Sequence, residues 1–167
     1  AGASASYTLT GLPAGAAGTK TLRVFVDSAC ASTETNETNN QLTKSYTVVT
    51  ALPDLAVTAV TINPTNPRVN GTFSATVTVK NQGTAASLAG RLDVWTHQTV
   101  TQGCGAAGNA FTAIPSLAAG ASTSYTLTGL PAGAAGTKTL RAFVDSACVS
   151  TETNETNNQL TKSYRVR

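Results

Sequence analysis

The chain has 167 residues, 41% of them hydrophobic and only 11% charged, with a formal charge of +3; an average soluble domain is about a quarter charged. The 11 basic residues stand singly, so no run of them can track a phosphate backbone, and nucleic acid is not an expected partner. No apolar stretch reaches the roughly 18 residues that span a bilayer, and no signal peptide is visible.

Apolar and polar residues alternate at period two along most of the chain, the pattern of half-buried strands. In chain order it predicts strands over 5–11, 19–26 and 41–48, then over 54–62 (DLAVTAVTI) and 73–81 (FSATVTVKN). A strand over 90–96 (GRLDVWT) follows, with Leu92 and Val94 on one face, then a shorter one around 109–113. Strands over 123–129, 137–144 and 159–166 complete the set. Turn residues separate them at Asn63-Pro64, Asn66-Pro67, Asn70-Gly71, Gln82-Gly83 and in the run 130–133 (LPAG). No stretch carries a capped helical period. About seven short strands between turn signals predict an all-β chain of the immunoglobulin-like β-sandwich class.

The strongest signal is self-similarity. Residues 1–49 recur as residues 119–167, at an offset of 118, and differ at five positions: Ala5/Thr123, Val24/Ala142, Ala31/Val149, Thr47/Arg165 and Val49/Arg167. The expected organisation is therefore a tandem repeat. Residues 1–49 form the C-terminal half of a preceding repeat, and 50–167 form one full repeat entered through Pro53 and Asp54. Half a sandwich leaves its apolar face in water, and about 50 residues rarely bury enough surface to hold together. Either more sequence upstream or another chain is expected to supply the missing strands.

The three cysteines follow the repeat. Cys30 and Cys148 are equivalent, and Cys104 sits in the Gly-rich stretch 102–105 (QGCG). The expected disulfide is Cys104–Cys148, with free buried thiols as the alternative. The partner of Cys30 is then expected 44 residues before it, ahead of Ala1, or on a partner chain.

Several motifs resemble one family. The run 53–58 (PDLAVT), Asn66-Pro67, the run 77–84 (VTVKNQGT), the turn at 119–121, and the segment from Val144 through Glu152 to Asn158 are together similar to the bacterial cell-adhesion-related domain, CARDB. The resemblance covers 53–167 and the partial copy 1–49. It implies immunoglobulin-like sandwiches in tandem arrays on secreted or surface proteins, without catalytic activity. The chain departs from the pattern in its two cysteines per unit and in a longer loop at 97–111.

One constellation could carry chemistry. Asp145, Glu152, Asn154, Glu155, Asn157 and Asn158 lie within 14 residues, and Asp27, Glu34, Asn36, Glu37, Asn39 and Asn40 repeat them. Oxygen ligands at this density are of the kind that holds calcium, although the spacing is not that of an EF-hand. The alternative is that these side chains cap backbone groups in the connection between the last two strands. No cofactor is expected, with calcium in this loop as the one candidate. His97, the single histidine, has no nucleophile or metal-ligand companions nearby and is expected to be a loop residue. Trp95, the single tryptophan, is expected to fill the sandwich core. Outside the acidic loop the full unit offers only Asp54 and Asp93 as carboxylates, on different strands, a poor basis for glycoside hydrolysis.

The function expected is a non-catalytic extracellular structural or adhesive repeat, part of a bacterial surface stalk, fibre or filament. Its partners would be neighbouring repeats or identical subunits. The alternative is a glycan- or protein-binding accessory module of a secreted or surface enzyme, which an exposed aromatic patch at 95–111 would favour and a buried Trp95 would oppose.

Overall fold

The computed structural model describes residues 2–167. The chain divides into two compact units, Ala1–Thr50 and Ala51–Arg167. No helix occurs among the described residues.

The first unit holds one antiparallel hairpin, β1 (Gly18–Phe25) and β2 (Gln41–Val48), with Gly18 opposite Val48 and Phe25 opposite Gln41. The strand expected over 5–11 is absent. Its counterpart in the second unit explains why.

The second unit is a sandwich of seven strands: β3 (Leu55–Asn63), β4 (Thr72–Asn81), β5 (Gly90–Trp95), β6 (Ala110–Ile114), β7 (Ser122–Pro131), β8 (Gly136–Val144) and β9 (Gln159–Val166). One sheet runs β3-β4-β7, the other β6-β5-β8-β9, and every pairing is antiparallel. In its sheet β7, the counterpart of residues 5–11, pairs only with β4. No segment of the first unit resembles β4, so residues 5–11 keep the alternating side chains of a strand but have no ladder to join. The hairpin needs no such neighbour. β8 and β9 repeat its register, with Gly136 opposite Val166 and Phe143 opposite Gln159.

The core lies between the two sheets. Along β4, Phe73, Ala75, Val77 and Val79 point inward. Thr76 and Thr78 point out and pair through their hydroxyls with Thr126 and Ser124, each at 2.9 Å. In β3 a bulge between Val57 and Ala59 resets the alternation, so Leu55 and Val57 before it and Val60 and Ile62 after it all reach the core. The remaining core comes mainly from Leu92, Val94, Leu127, Leu130, Leu140, Val144, Tyr164 and Val166. Leu92 and Val94 share the inward face of β5. Alternation therefore puts Asp93 and Trp95 on its outer face. Trp95 is buried, but it is not part of the core between the sheets where it was expected.

The NQG stretch after β4 is a structural hub. Asn81 is fully buried. Its Oδ1 accepts the backbone N–H groups of Asp54 and Gly83, and its Nδ2 donates to the carbonyls of Ala85 and Leu117. One side chain thus satisfies four backbone groups from three loops. Gly83 lies so close to the incoming chain that a Cβ there would sit 2.5 Å from the Leu52 carbonyl oxygen. The entry strand, the turn after β4 and the approach to β7 are clamped together at this point.

Candidate functional site: the acidic loop and the disulfide-pinned outer face

The loop joining β8 to β9 begins at Asp145, which is buried and has φ 52°. Aspartate tolerates this left-handed conformation better than most residues. Its carboxylate accepts the N–H groups of Val149 (3.1 Å) and Ser150 (2.9 Å). Burial raises its pKa above the ordinary aspartate value, the two N–H donors oppose that rise, and the charge of Glu155 adds to it. Cys148 is also left-handed, at φ 51°, and its N–H donates to the Asp145 carbonyl at 2.7 Å.

Further along, Asn154 Oδ1 accepts from the N–H and hydroxyl of Thr156, and Glu155 Oε1 accepts the N–H of Glu152 at 2.9 Å. Glu152 is buried. Its carboxylate accepts the N–H of Leu55 and the Nδ2 of Asn158. Burial, reinforced by the charges of Glu155 and Asp145, pushes its pKa up to about 7 against the pull of those two donors. Asn157 Nδ2 donates to Asp54 Oδ1 at 2.7 Å, and the Thr153 N–H donates to the Pro53 carbonyl at 2.9 Å. The loop is therefore fastened to Pro53, Asp54 and Leu55, where the chain enters the sandwich.

All six residues named as calcium ligands lie in this one loop, but their bonded oxygens are turned toward N–H and O–H donors. The amide oxygens of Asn157 and Asn158 are buried without a protein partner. Among the described residues no three His, Cys, Asp or Glu side chains come together as a metal-binding group. The first-unit copies behave alike. Asp27 accepts from Ala31 and Ser32, Glu37 accepts from the Glu34 N–H, and Asn36 accepts from Thr38. Asn40 donates to Glu37 at 3.4 Å. Asn39 is exposed.

A second set of contacts ties the long loop between β5 and β6 to the outer face of β5 and β8. Cys104 and Cys148 form a disulfide with Cα atoms 5.6 Å apart, closing a 44-residue separation. Arg141 reaches from β8 to the carbonyls of Thr99 (2.9 Å) and Gln98 and to Gln159 Oε1 (3.1 Å). Gln159 and Gln102 exchange two further bonds. Asp93 is fully buried; its carboxylate accepts from Arg91 (2.6 Å), from the Gly108 N–H (2.9 Å) and from the Ser146 hydroxyl. Both carboxylate oxygens are therefore engaged and do not face a reactant. His97 is exposed, and its Nδ1 accepts the Thr139 N–H at 3.1 Å. Beside the disulfide lies an open cleft of about 680 Å³, with Gln102, Arg141, Phe143, Thr156 and Gln159 on its walls. On the opposite edge strand Phe111 is exposed beneath the Arg91 guanidinium, 4.1 Å from the ring centre.

Sequence reasoning did not foresee the bonding roles of Asn81, Asp93 and Arg141. The one available sign was a charged residue inside an otherwise apolar alternating strand, as with Asp93 in the run 90–95 (GRLDVW).

The CARDB family model matches residues 52–162. Among solved structures, the chain is similar to the CARDB domain of a Pyrococcus furiosus protein in complex with di-metal ions: 26% identity, 70% of this chain and 90% of that one covered, TM-score 0.52. It is also similar to a domain of a Methanosarcina acetivorans protein named for the cell surface: 25% identity, 70% and 93% covered, TM-score 0.53. No curated protein matches.

Proposed function

The chain belongs to the CARDB family, and from that premise we propose that it is a non-catalytic structural or adhesive repeat in an extracellular or surface-exposed array. The observation that carries this reading is the recurrence of residues 1–49 as 119–167. A unit used for its shape and spacing can be copied whole, whereas a unit used for a particular ligand diverges at its binding surface. The buried clamps at Asn81, Asp93 and Arg141 and the disulfide suit a passive element that resists being pulled apart. The ten-residue strands β4 and β7 set the length one unit adds at on the order of 35 Å. A surface location agrees with the name of the Methanosarcina acetivorans relative.

The test is the intact mass of the native protein, denatured, before and after reduction. An array gives a reduced mass far above the 16.9 kDa of this chain. A reduced mass near that value contradicts a covalent array.

A second reading, a glycan- or protein-binding module, has the open cleft beside the disulfide in its favour. The burial of Trp95 counts against a sugar-stacking platform, while Phe111, at the other end of 95–111, is exposed. Binding to a glycan array that is lost in Arg141→Ala would support it, and uniform non-binding would remove it.

A further inference from the structure

The loop between β8 and β9 carries a pattern that its capping bonds do not use up. Asn154, Glu155 and Thr156 read Asn-x-Thr, the acceptor sequence for an N-linked sugar when x is not proline. Two further copies of the pattern occur, at Asn36-Glu37-Thr38 and Asn70-Gly71-Thr72. Local geometry divides the three into two kinds.

At Asn154 the side chain is bent back on its own backbone. Its Oδ1 accepts the Thr156 N–H at 3.0 Å and the Thr156 hydroxyl at 2.6 Å. Asn36 makes the same pair of bonds with Thr38, at 2.9 and 2.6 Å. Each bond spans two residues, so the turn is local, and it recurs in both copies. Both donors fall on the amide oxygen, which leaves Nδ2 as the open end. Neighbouring amides are engaged the other way round: Nδ2 of Asn157 is on Asp54 and that of Asn158 on Glu152. Residues 153–156 are exposed, so a bulky group on Asn154 has solvent to occupy.

The third copy is built differently. Asn70 is also exposed, but it holds φ 54° in the turn between β3 and β4, with its N–H on the Gly133 carbonyl. Thr72 has already entered β4, opposite Pro131, rather than turning back on Asn70.

We propose that Asn154, with its counterpart in each copy of the repeat, is the attachment point of an N-linked glycan, and that the turn to Thr156 selects it over Asn70. An amide nitrogen is a weak nucleophile because its lone pair is delocalised onto the oxygen. Two hydrogen bonds on that oxygen stabilise the negative charge it takes up when an N–H proton leaves, and so ease the loss. In the transfer, Nδ2 bonds to the anomeric carbon of the first sugar. The bond from that carbon to the phosphate of a lipid-linked oligosaccharide breaks, and the phosphate leaves with the electron pair. The amide proton goes to a base of the transferase. Donor and transferase belong to the membrane that a chain crosses on export, so the inference goes beyond the array reading and rests on its extracellular location.

The test is peptide mass analysis of the native protein, isolated from its source, denatured, reduced and digested with trypsin. Peptides 24–44 and 142–162 have one composition, because Val24/Ala142 and Ala31/Val149 exchange the same two residue types, and fragmentation tells them apart. The expected result is a sugar mass on Asn154 and on Asn36, with Asn70 bare. Expressed in the same source, Thr156→Ser should keep the glycan on Asn154. Thr156→Ala and Asn154→Gln should each lose it while the Cys104–Cys148 disulfide still forms. Any of four results would overturn the proposal: Asn154 bare, sugar only on Ser or Thr hydroxyls, a glycan that survives Thr156→Ala, or Asn70 occupied as fully as Asn154. A bare chain at the cell surface removes the glycan and leaves the array reading standing. A chain that stays in the cytoplasm removes the location on which both depend.

Discussion

Residues 1–49 and 119–167 are nearly the same sequence in two physical situations, and what they share separates local from non-local information. Both fold the same hairpin in the same register, with left-handed residues at the same places and the same short bonds from Asp, Asn and Glu side chains to the backbone. Those features are written within a few residues of where they appear. Burial is not. Leu130 is 1% exposed and its twin Leu12 is 57% exposed; Tyr164 is 7% exposed and Tyr46 41%. The strand β7 exists only where β4 is present to pair with it. A hydrophobic pattern therefore states what a segment can bury, and a complementary partner decides whether it does.

Twin substitutions 118 residues apart exploit this difference directly. Leu130→Ala removes a filled core side chain and should cost about 2–5 kcal/mol in urea unfolding of the second unit. Leu12→Ala changes an exposed one and should stay within about 0.5 kcal/mol. Equal effects would mean that the two faces are equally covered.

The cysteines form the next pair. Cys148→Ser opens the closed loop and should cost roughly 3–4 kcal/mol on the chain-entropy model. Cys30→Ser should leave stability unchanged, because Cys30 closes nothing in this chain. A thermal melt of each variant, with and without reductant, separates the two.

Glu152 gives a smaller effect of defined sign. Its folded pKa, about 7, lies above the ordinary value of 4.5. The folded state therefore holds the proton more tightly, and its contribution to stability is complete below about pH 4.5. That contribution falls as pH rises toward 7 and is flat above it, a loss of about 1–3 kcal/mol. Glu152→Gln should flatten this segment of the stability-versus-pH curve. The orphaned Asn158 Oδ1 can turn to accept the new amide, so the loop has a means to tolerate it. A slope that survives the substitution assigns it to another group.

Millimolar calcium should have the smallest effect of all. Most of the loop's carboxylate oxygens already accept N–H donors, so the melting temperature should not move. A rise of several degrees with calcium, absent with magnesium, would show that the loop reorganises around a cation.

Much of the fold was legible in the chain because its signals are local. The alternation over 73–81 and 159–166, the turn residues between strands and the hairpin over 19–48 need no distant partner. Residues 5–11 carry the same alternation and mislead, since the pattern does not reveal a missing ladder. Trp95 was readable in part. With Leu92 and Val94 assigned inward, the odd-numbered Trp95 had to face out, and the alternation alone does not foretell that this outward tryptophan is nonetheless buried. Asn81 was not legible, because its four partners are spread from Asp54 to Leu117. In the acidic loop the sequence supports both cation binding and backbone capping. The bond directions, such as Glu152 toward Leu55, show the capping.

The most direct measurement is hydrogen exchange on the intact chain, comparing residues 5–13 with 123–131. The Ala5/Thr123 difference gives the two peptides distinct masses. The account predicts that the amides of 123–131 bonded to β4 are strongly protected, while those of 5–13 exchange near the rate of an unfolded chain. Matching protection in the two peptides would contradict it, because the first copy would then already be covered.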